Sequence, residues 1–400
     1  MNYPVKSPFT ARVLALRESA TLKINAQVNR MKQEGKLVYN LTAGEPDFPA
    51  PEVAKQAVME AVQKNQSKYT PTAGILELRQ LIAVRTNAQQ PNLKTPWTAA
   101  DVMVTNGGKQ ALFDAILALI DQNDEVLIPA PYWLSYPEMV RAAQGTPVEI
   151  ATTLSERYLC SPEKLEAAIT SKTKLFILNS PSNPTGAMYS ENHLRKMGDV
   201  LRKHESIWII SDEIYDQIEF KTGSWRSFLA VNPELQSRTV TVNGLSKSGA
   251  MTGWRIGWSV TDSAMTSVLN ALQGHSTSGI SALSQAAAVA TLKLAPGWFE
   301  SQRRQYLHRR DLTLEILRKS AKIKVFEPDG AFYLFMDVQA VMKENENADG
   351  FAVRLLQEKG VAVVSGVDFG APTSVRISFA TDEATLREAA KRLVEFCDQP

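Results

Sequence analysis

Between about residues 100 and 260, short apolar runs alternate with stretches of helical period, as in an α/β domain built on a mainly parallel sheet. Strands are expected at 101–105, 125–128, 174–178, 207–210, 239–242 and 256–260, with a helix at 110–120. After Pro296 the rhythm changes to a long charged helix at 301–319, a strand at 331–338, a helix near 351–359 and a strand at 361–364. That is the pattern of a second, smaller α+β domain. A helical stretch at 21–34 is expected to pack on it, so both chain ends serve one domain. The expected division is 1–48 and 296–400 for the small domain and 49–295 for the large one.

Composition narrows the class. The 400 residues are 44% hydrophobic and 22% charged, enough for a sizeable core and more than one lobe. The net charge is +2 with Lys and Arg dispersed, so neither nucleic acid nor a membrane surface is expected as a partner, and a small anionic ligand fits better. Cys160 and Cys397 stand far apart, and the four histidines, among them His193 and His204, form no HExxH pattern; no metal site is expected. With no signal-like apolar stretch at the start and no run long enough to span a bilayer, the expected location is the cytoplasm.

Four segments carry candidate chemistry. Lys247 lies among small residues just after the β-branched run 239–242, where backbone comes close to a ligand and an amine can lose its proton and form a Schiff base. The alternative is an ordinary loop lysine. Gly107 and Gly108 follow a strand and open a helix, so their amides can face an anion such as phosphate, although Gly-Gly also makes a plain turn. Pro181, Pro184 and Gly186 fix a turn that can aim Asn183 at a ligand, the alternative being a plain turn. Asp212 ends a buried apolar run at the sheet edge where ligands collect, and calls for a cationic partner such as a protonated ring nitrogen, unless it simply caps a helix. Arg255, eight residues beyond Lys247, can form bidentate bonds to phosphate.

In this order, Asn183, Asp212, Tyr215, Lys247 and Arg255 resemble the class I family of pyridoxal-phosphate aminotransferases (fold-type I), and the bacterial aspartate aminotransferase branch in particular. The segments Ala43-Gly44-Glu45-Pro46-Asp47-Phe48, Tyr69-Thr70-Pro71-Thr72-Ala73-Gly74 and Val375-Arg376-Ile377-Ser378 extend the likeness over essentially the whole chain. The resemblance implies a homodimer with shared active sites, acting on an amino acid and a 2-oxo acid. Lys247 would carry pyridoxal phosphate covalently and, once freed by substrate, act as general base. Asp212 would pair with the ring nitrogen, and Asn183 and Tyr215 with the ring's phenolic oxygen. Gly108 and Lys109 amides, Ser246 and Arg255 would hold the phosphate, joined by Tyr69 from the partner subunit, while Trp133 stacks on the ring. Arg376 would grip the substrate's α-carboxylate near Gly44 and Asn183, and the Lys109 side chain would meet a second carboxylate.

The segment around Arg17 and Thr21 resembles members that also accept prephenate, so aspartate with 2-oxoglutarate is the expected pair and prephenate a further acceptor. Two departures from the family pattern stand out. Gly244 replaces a serine found in some branches, and His275 replaces a glutamine near the partner's site. Related readings are an aromatic or alanine aminotransferase, a carbon-sulfur lyase, or a ligand-sensing protein on the same fold. The last usually adds a DNA-binding module, for which family-like sequence from about residue 15 leaves no room.

Overall fold

The computed structural model describes residues 9–17 and 20–399, the side chains of Ala11 and of 20–23 excepted. Its main sheet has seven strands: β1 (Val102–Asn106), β2 (Glu125–Ala130), β3 (Thr146–Ala151), β4 (Thr173–Asn179), β5 (Trp208–Asp212), β6 (Thr239–Gly244) and β7 (Ile256–Val260). They lie in the order β1-β7-β6-β5-β4-β2-β3. Only β7 opposes its neighbours; the other pairings are parallel. This is the α/β fold with a mainly parallel sheet.

Side-chain alternation explains why these runs read as continuous apolar stretches. Val104, Leu127, Phe176 and Ile209 enter one buried cluster with helices Leu76–Gln89, Glu191–Arg202 and Ala282–Leu292. Met103, Val126, Leu175 and Ile210 enter another, against Gly108–Leu119, Ser135–Ala142 and Ser263–Gly274. A sheet covered on both faces needs apolar residues at every position. Strand β3 escapes the pattern because it is an edge strand, half exposed and carrying Pro147, so no apolar run marks it. At 101–105 the strand begins one residue late, since Asp101 closes a capping box with Thr98.

A third buried cluster gathers helix Pro296–Leu317, strand Tyr333–Asp337 and helices Ala348–Lys359 and Glu383–Asp398. Pro296 does not precede the long helix at a distance but opens it, its fixed φ and missing N–H suiting a first helical position. The apolar stretch 361–364 splits in two. Val361–Ala362 pairs in parallel with Tyr39–Asn40, and Val364–Ser365 joins a four-stranded sheet with Ser374–Ser378, Tyr333–Asp337 and Lys324–Val325. Ile24 and Val28 of helix Ala20–Gln33 pack on Leu356 and Ala362. Both chain ends therefore meet here. No helix among the described residues is long and apolar enough to cross a membrane.

Candidate active site

Because six strands share a direction, the C-terminal ends of β1, β2, β4, β5 and β6 open on one edge of the main sheet, and antiparallel β7 begins there. A cavity of about 620 Å³ lies at that edge, within the range of small-molecule sites. Gly44, Gly108, Lys109, Trp133, Asn183 and Asp212 line it, as do Tyr215, Ser246, Lys247, Arg255 and Arg376.

Lys247 stands in the helical turn Leu245–Ser248 directly after β6 and donates to the Gly44 carbonyl. Burial first, then the charge of Arg376, push its ammonium down to about 8. Gly244 has no room for the serine of other branches: an added Cβ would meet the Ile256 carbonyl oxygen at 2.7 Å and Gly257 Cα at 2.9 Å, both backbone. The missing hydroxyl thus follows from how closely β6 and β7 approach.

Asp212 is the last residue of β5, not the start of a helix. Its Oδ2 accepts from the Tyr136 hydroxyl at 2.6 Å and its Oδ1 from the Ile214 amide at 3.2 Å, yet burial raises the carboxyl to about 6. A cation beside it would restore the charged form.

At the phosphate end, helix Gly108–Leu119 opens with no side-chain cap, leaving its first amides available to an anion. Gly107 has φ of 79°, and a Cβ there would strike the Arg255 guanidinium; one on Gly257 would strike the Gly107–Gly108 backbone. Arg255 itself is left-handed, φ 56°, and is held by the carbonyls of Thr252 at 2.8 Å and Asn106 at 3.0 Å. Glycines at these contacts let the guanidinium and the helix amides converge.

The second sheet contributes Arg376, buried on strand Ser374–Ser378. It donates to Asn183 Oδ1 at 2.8 Å and to the Thr42 carbonyl at 3.1 Å, while its Nε has no partner. A buried guanidinium with a spare donor at a cavity wall suits a carboxylate. Asn183 is oriented in turn by Asn179, whose Oδ1 accepts the Asn183 amide at 2.8 Å. The Lys109 ammonium lies over the Trp133 ring at 4.9 Å, its pKa lowered by burial and by Arg255.

Some expected residues stand apart. Tyr69 is 99% exposed and does not reach this cavity. Arg17 is exposed; its amide donates to Glu138 Oε2 at 3.0 Å, and it borders a small depression with Tyr132 and Arg141 that shares Leu134 with the main cavity. The Thr21 side chain lies outside the described residues. His275 is exposed at the end of helix Ser263–Gly274. Conversely, Tyr136, Asn179, Thr252 and Tyr333 line the cavity without a sequence cue, since aromatic or polar residues inside such runs read as packing or turn residues.

A buried amine of lowered pKa, a buried carboxyl in need of a cation, an anion-facing helix start and a spare guanidinium donor fit pyridoxal phosphate and an amino-acid carboxylate. Residues 36–393 match the family described as aminotransferase class I and II. The chain belongs to that family. Its members depend on pyridoxal phosphate. The aminotransferase is 38% identical over 389 residues to a probable aspartate/prephenate aminotransferase of Rhizobium leguminosarum bv. phaseoli, covering 96% of each chain. It is 39% identical over 396 residues to an aspartate aminotransferase of Rhizobium meliloti strain 1021, covering 97% of this chain and 96% of that one. Among solved structures, the Rhizobium meliloti aspartate aminotransferase superposes with a TM-score of 0.93 at 38% identity, covering 98% of this chain and 99% of that one. The Thermus thermophilus enzyme with maleate gives 0.91 at 38% identity, covering 98% and 100%.

Proposed function

We propose that this aminotransferase moves the amino group of aspartate to 2-oxoglutarate, with prephenate as a further acceptor. The observation that carries this reading is the pair of cations, Arg376 and Lys109, that two different elements present to one cavity alongside Lys247. A substrate with two carboxylates matches both. The relatives named for aspartate and prephenate support the choice, as does the relative whose structure holds maleate, a dicarboxylate.

Pyridoxal phosphate, when bound, supplies a conjugated ring that draws off the electron pair left at the substrate's Cα. With the cofactor bound, Asp212 would pair with the ring nitrogen and favour its protonated form, and Asn183 and Tyr215 would hold the ring oxygen. The amides of Gly108 and Lys109, with Ser246 and Arg255, would hold the phosphate, and Trp133 would cover the ring. Arg376 would hold the α-carboxylate in the cavity that Lys247 also lines, leaving the Lys247 amine to act on the proton at Cα. Burial keeps a usable fraction of the Lys247 amine neutral, so its Nζ takes that proton and later returns it. Gly44, whose carbonyl accepts from the Lys247 amine, lines the cavity and would border the substrate there.

We read residues 1–48 with 296–400 as one domain and 49–295 as the other, so that the substrate's carboxylate bridges them. The strand pairing of Tyr39–Asn40 with Val361–Ala362 supports this division. We place the protein in the cytoplasm as a homodimer. Full exposure of Tyr69 supports its serving the partner's phosphate site; we assign Arg17 and Thr21 to the substrate, with support from Arg17 bordering a depression that shares Leu134 with the main cavity.

One mixing experiment tests both the lysine and the shared site. Lys247→Ala should lower aspartate transamination at least 10²-fold, roughly the contribution of a general base, and Tyr69→Ala should weaken cofactor binding. Refolding the two variants together should restore activity above the sum of the separate preparations, because one site in each mixed dimer regains both residues. Near-normal turnover by Lys247→Ala would refute the lysine's role, and no gain on mixing would refute the shared site.

A further inference from the structure

Tyr333 has no part in the roles given above, yet it is buried at 1% exposure and lines the cavity. It opens strand Tyr333–Asp337 opposite Ser378, and Arg376 stands two residues away on that paired strand. Diagonal neighbours on one face of an antiparallel pair lie within reach of long side chains. The Arg376 guanidinium accordingly lies 4.4 Å from the centroid of the Tyr333 ring. At the other end of the ring, the Tyr333 hydroxyl is 2.9 Å from the Tyr215 hydroxyl.

Two phenols in contact share one hydrogen bond, so one donates and the other accepts. The surroundings choose between them. If Tyr215 is to direct its own proton at an acceptor in the cavity, it must receive one from Tyr333. The charged and titratable groups around the pair are Arg376, which faces both phenols, Asp212, which faces Tyr215, and Lys247 across the cavity. Tyr136 is already committed to Asp212, so it cannot supply Tyr215. The Arg376 cation over the Tyr333 ring stabilises the negative charge that builds on the phenol oxygen as its proton is shared, which makes Tyr333 the better donor.

We propose that Tyr333 is a positioning residue that donates its hydroxyl proton to Tyr215 and so aims the Tyr215 hydroxyl at the ring oxygen of bound pyridoxal phosphate, from directly beneath the arginine that takes the substrate's carboxylate. The inference rests on the Tyr215 role given under the proposed function. Hydrogen bonds in a chain polarise one another, so a donor behind Tyr215 strengthens the bond in front of it. A stronger bond to the anionic ring oxygen makes the neighbouring nitrogen, supplied by Lys247, give up its proton at lower pH. Removing the Tyr333 hydroxyl therefore raises the pH midpoint of the cofactor's visible absorbance. Phenylalanine keeps the ring under Arg376, so the packing survives and KM for the substrate changes little compared with the midpoint.

The test is a spectroscopic pH titration of the cofactor-loaded protein for wild type, Tyr333→Phe, Tyr215→Phe and the double variant. Tyr215→Phe is expected to raise the midpoint by about one pH unit and Tyr333→Phe by roughly half a unit, the scale of one modest hydrogen bond. The double variant should match Tyr215→Phe alone. If Tyr215→Phe shifts the midpoint while Tyr333→Phe does not, or if the two shifts add in the double variant, the inference is overturned and the Tyr215 role stands. If Tyr215→Phe leaves the midpoint in place, the Tyr215 role fails and the inference falls with it.

Discussion

Glu213 directly follows Asp212 but does not line the cavity, and its chemistry is that of a buried acid. Its Oε1 accepts from Ser227 at 2.7 Å, Ser211 at 2.9 Å and the Phe228 amide at 3.2 Å, while Oε2 has no partner. Burial outweighs these bonds and raises the group from 4.5 to about 7. The folded state therefore holds this proton more tightly than the unfolded chain. Its contribution favours folding in full below about 4.5 and is lost as pH rises through 7. Glu213→Gln cannot titrate, so the variant should gain on wild type by a few kcal/mol between pH 5 and pH 8 in denaturant unfolding. An unchanged stability difference at the two pH values would contradict this. Adjacent Asp212 and Glu213 look alike in sequence, and only the folded chain at the end of β5 separates the cavity acid from the core acid.

At the scale of elements, the segment carrying Gly44 is tied to the long helix Pro296–Leu317 by one fork. Arg309 Nη1 and Nη2 meet Asp47 Oδ1 and Oδ2 at 2.7 and 2.9 Å, and the guanidinium stacks on Phe48 at 5.0 Å. Lysine keeps the charge but not the two-pronged geometry or the stacking. Arg309→Lys should therefore lower unfolding free energy by about 1–2 kcal/mol and, by loosening the Gly44 carbonyl, raise KM for the amino acid. Equal stability and KM would show the fork to be idle. Periodicity made most strands of the main sheet legible because they are covered on both faces, whereas the half-exposed edge strand Thr146–Ala151 left no apolar run to read. The split at 361–364 was hidden because its two halves pair with partners far away in the chain.

Across the whole molecule, the main sheet supplies the amine, the carboxyl and the anion-facing helix start, and the second sheet supplies Arg376 and Tyr333. Motif residues such as Asn183, Asp212, Lys247 and Arg255 were legible because small residues, prolines and glycines around them mark close backbone approach. Tyr136 and Tyr333 were not, because each is an aromatic in a run that packs a core, and only the folded chain turns their hydroxyls toward Asp212 and Tyr215. The central claim is that these elements form one site for a dicarboxylic amino acid. Its most direct measurement follows the absorbance band of the pyridoxal-phosphate-loaded protein on addition of single amino acids without an acceptor. Aspartate and glutamate should convert the band at far lower concentration than alanine or phenylalanine, with the preference weakened in Lys109→Ala. Conversion by neutral amino acids as readily as by aspartate, or no conversion by aspartate, would contradict the account.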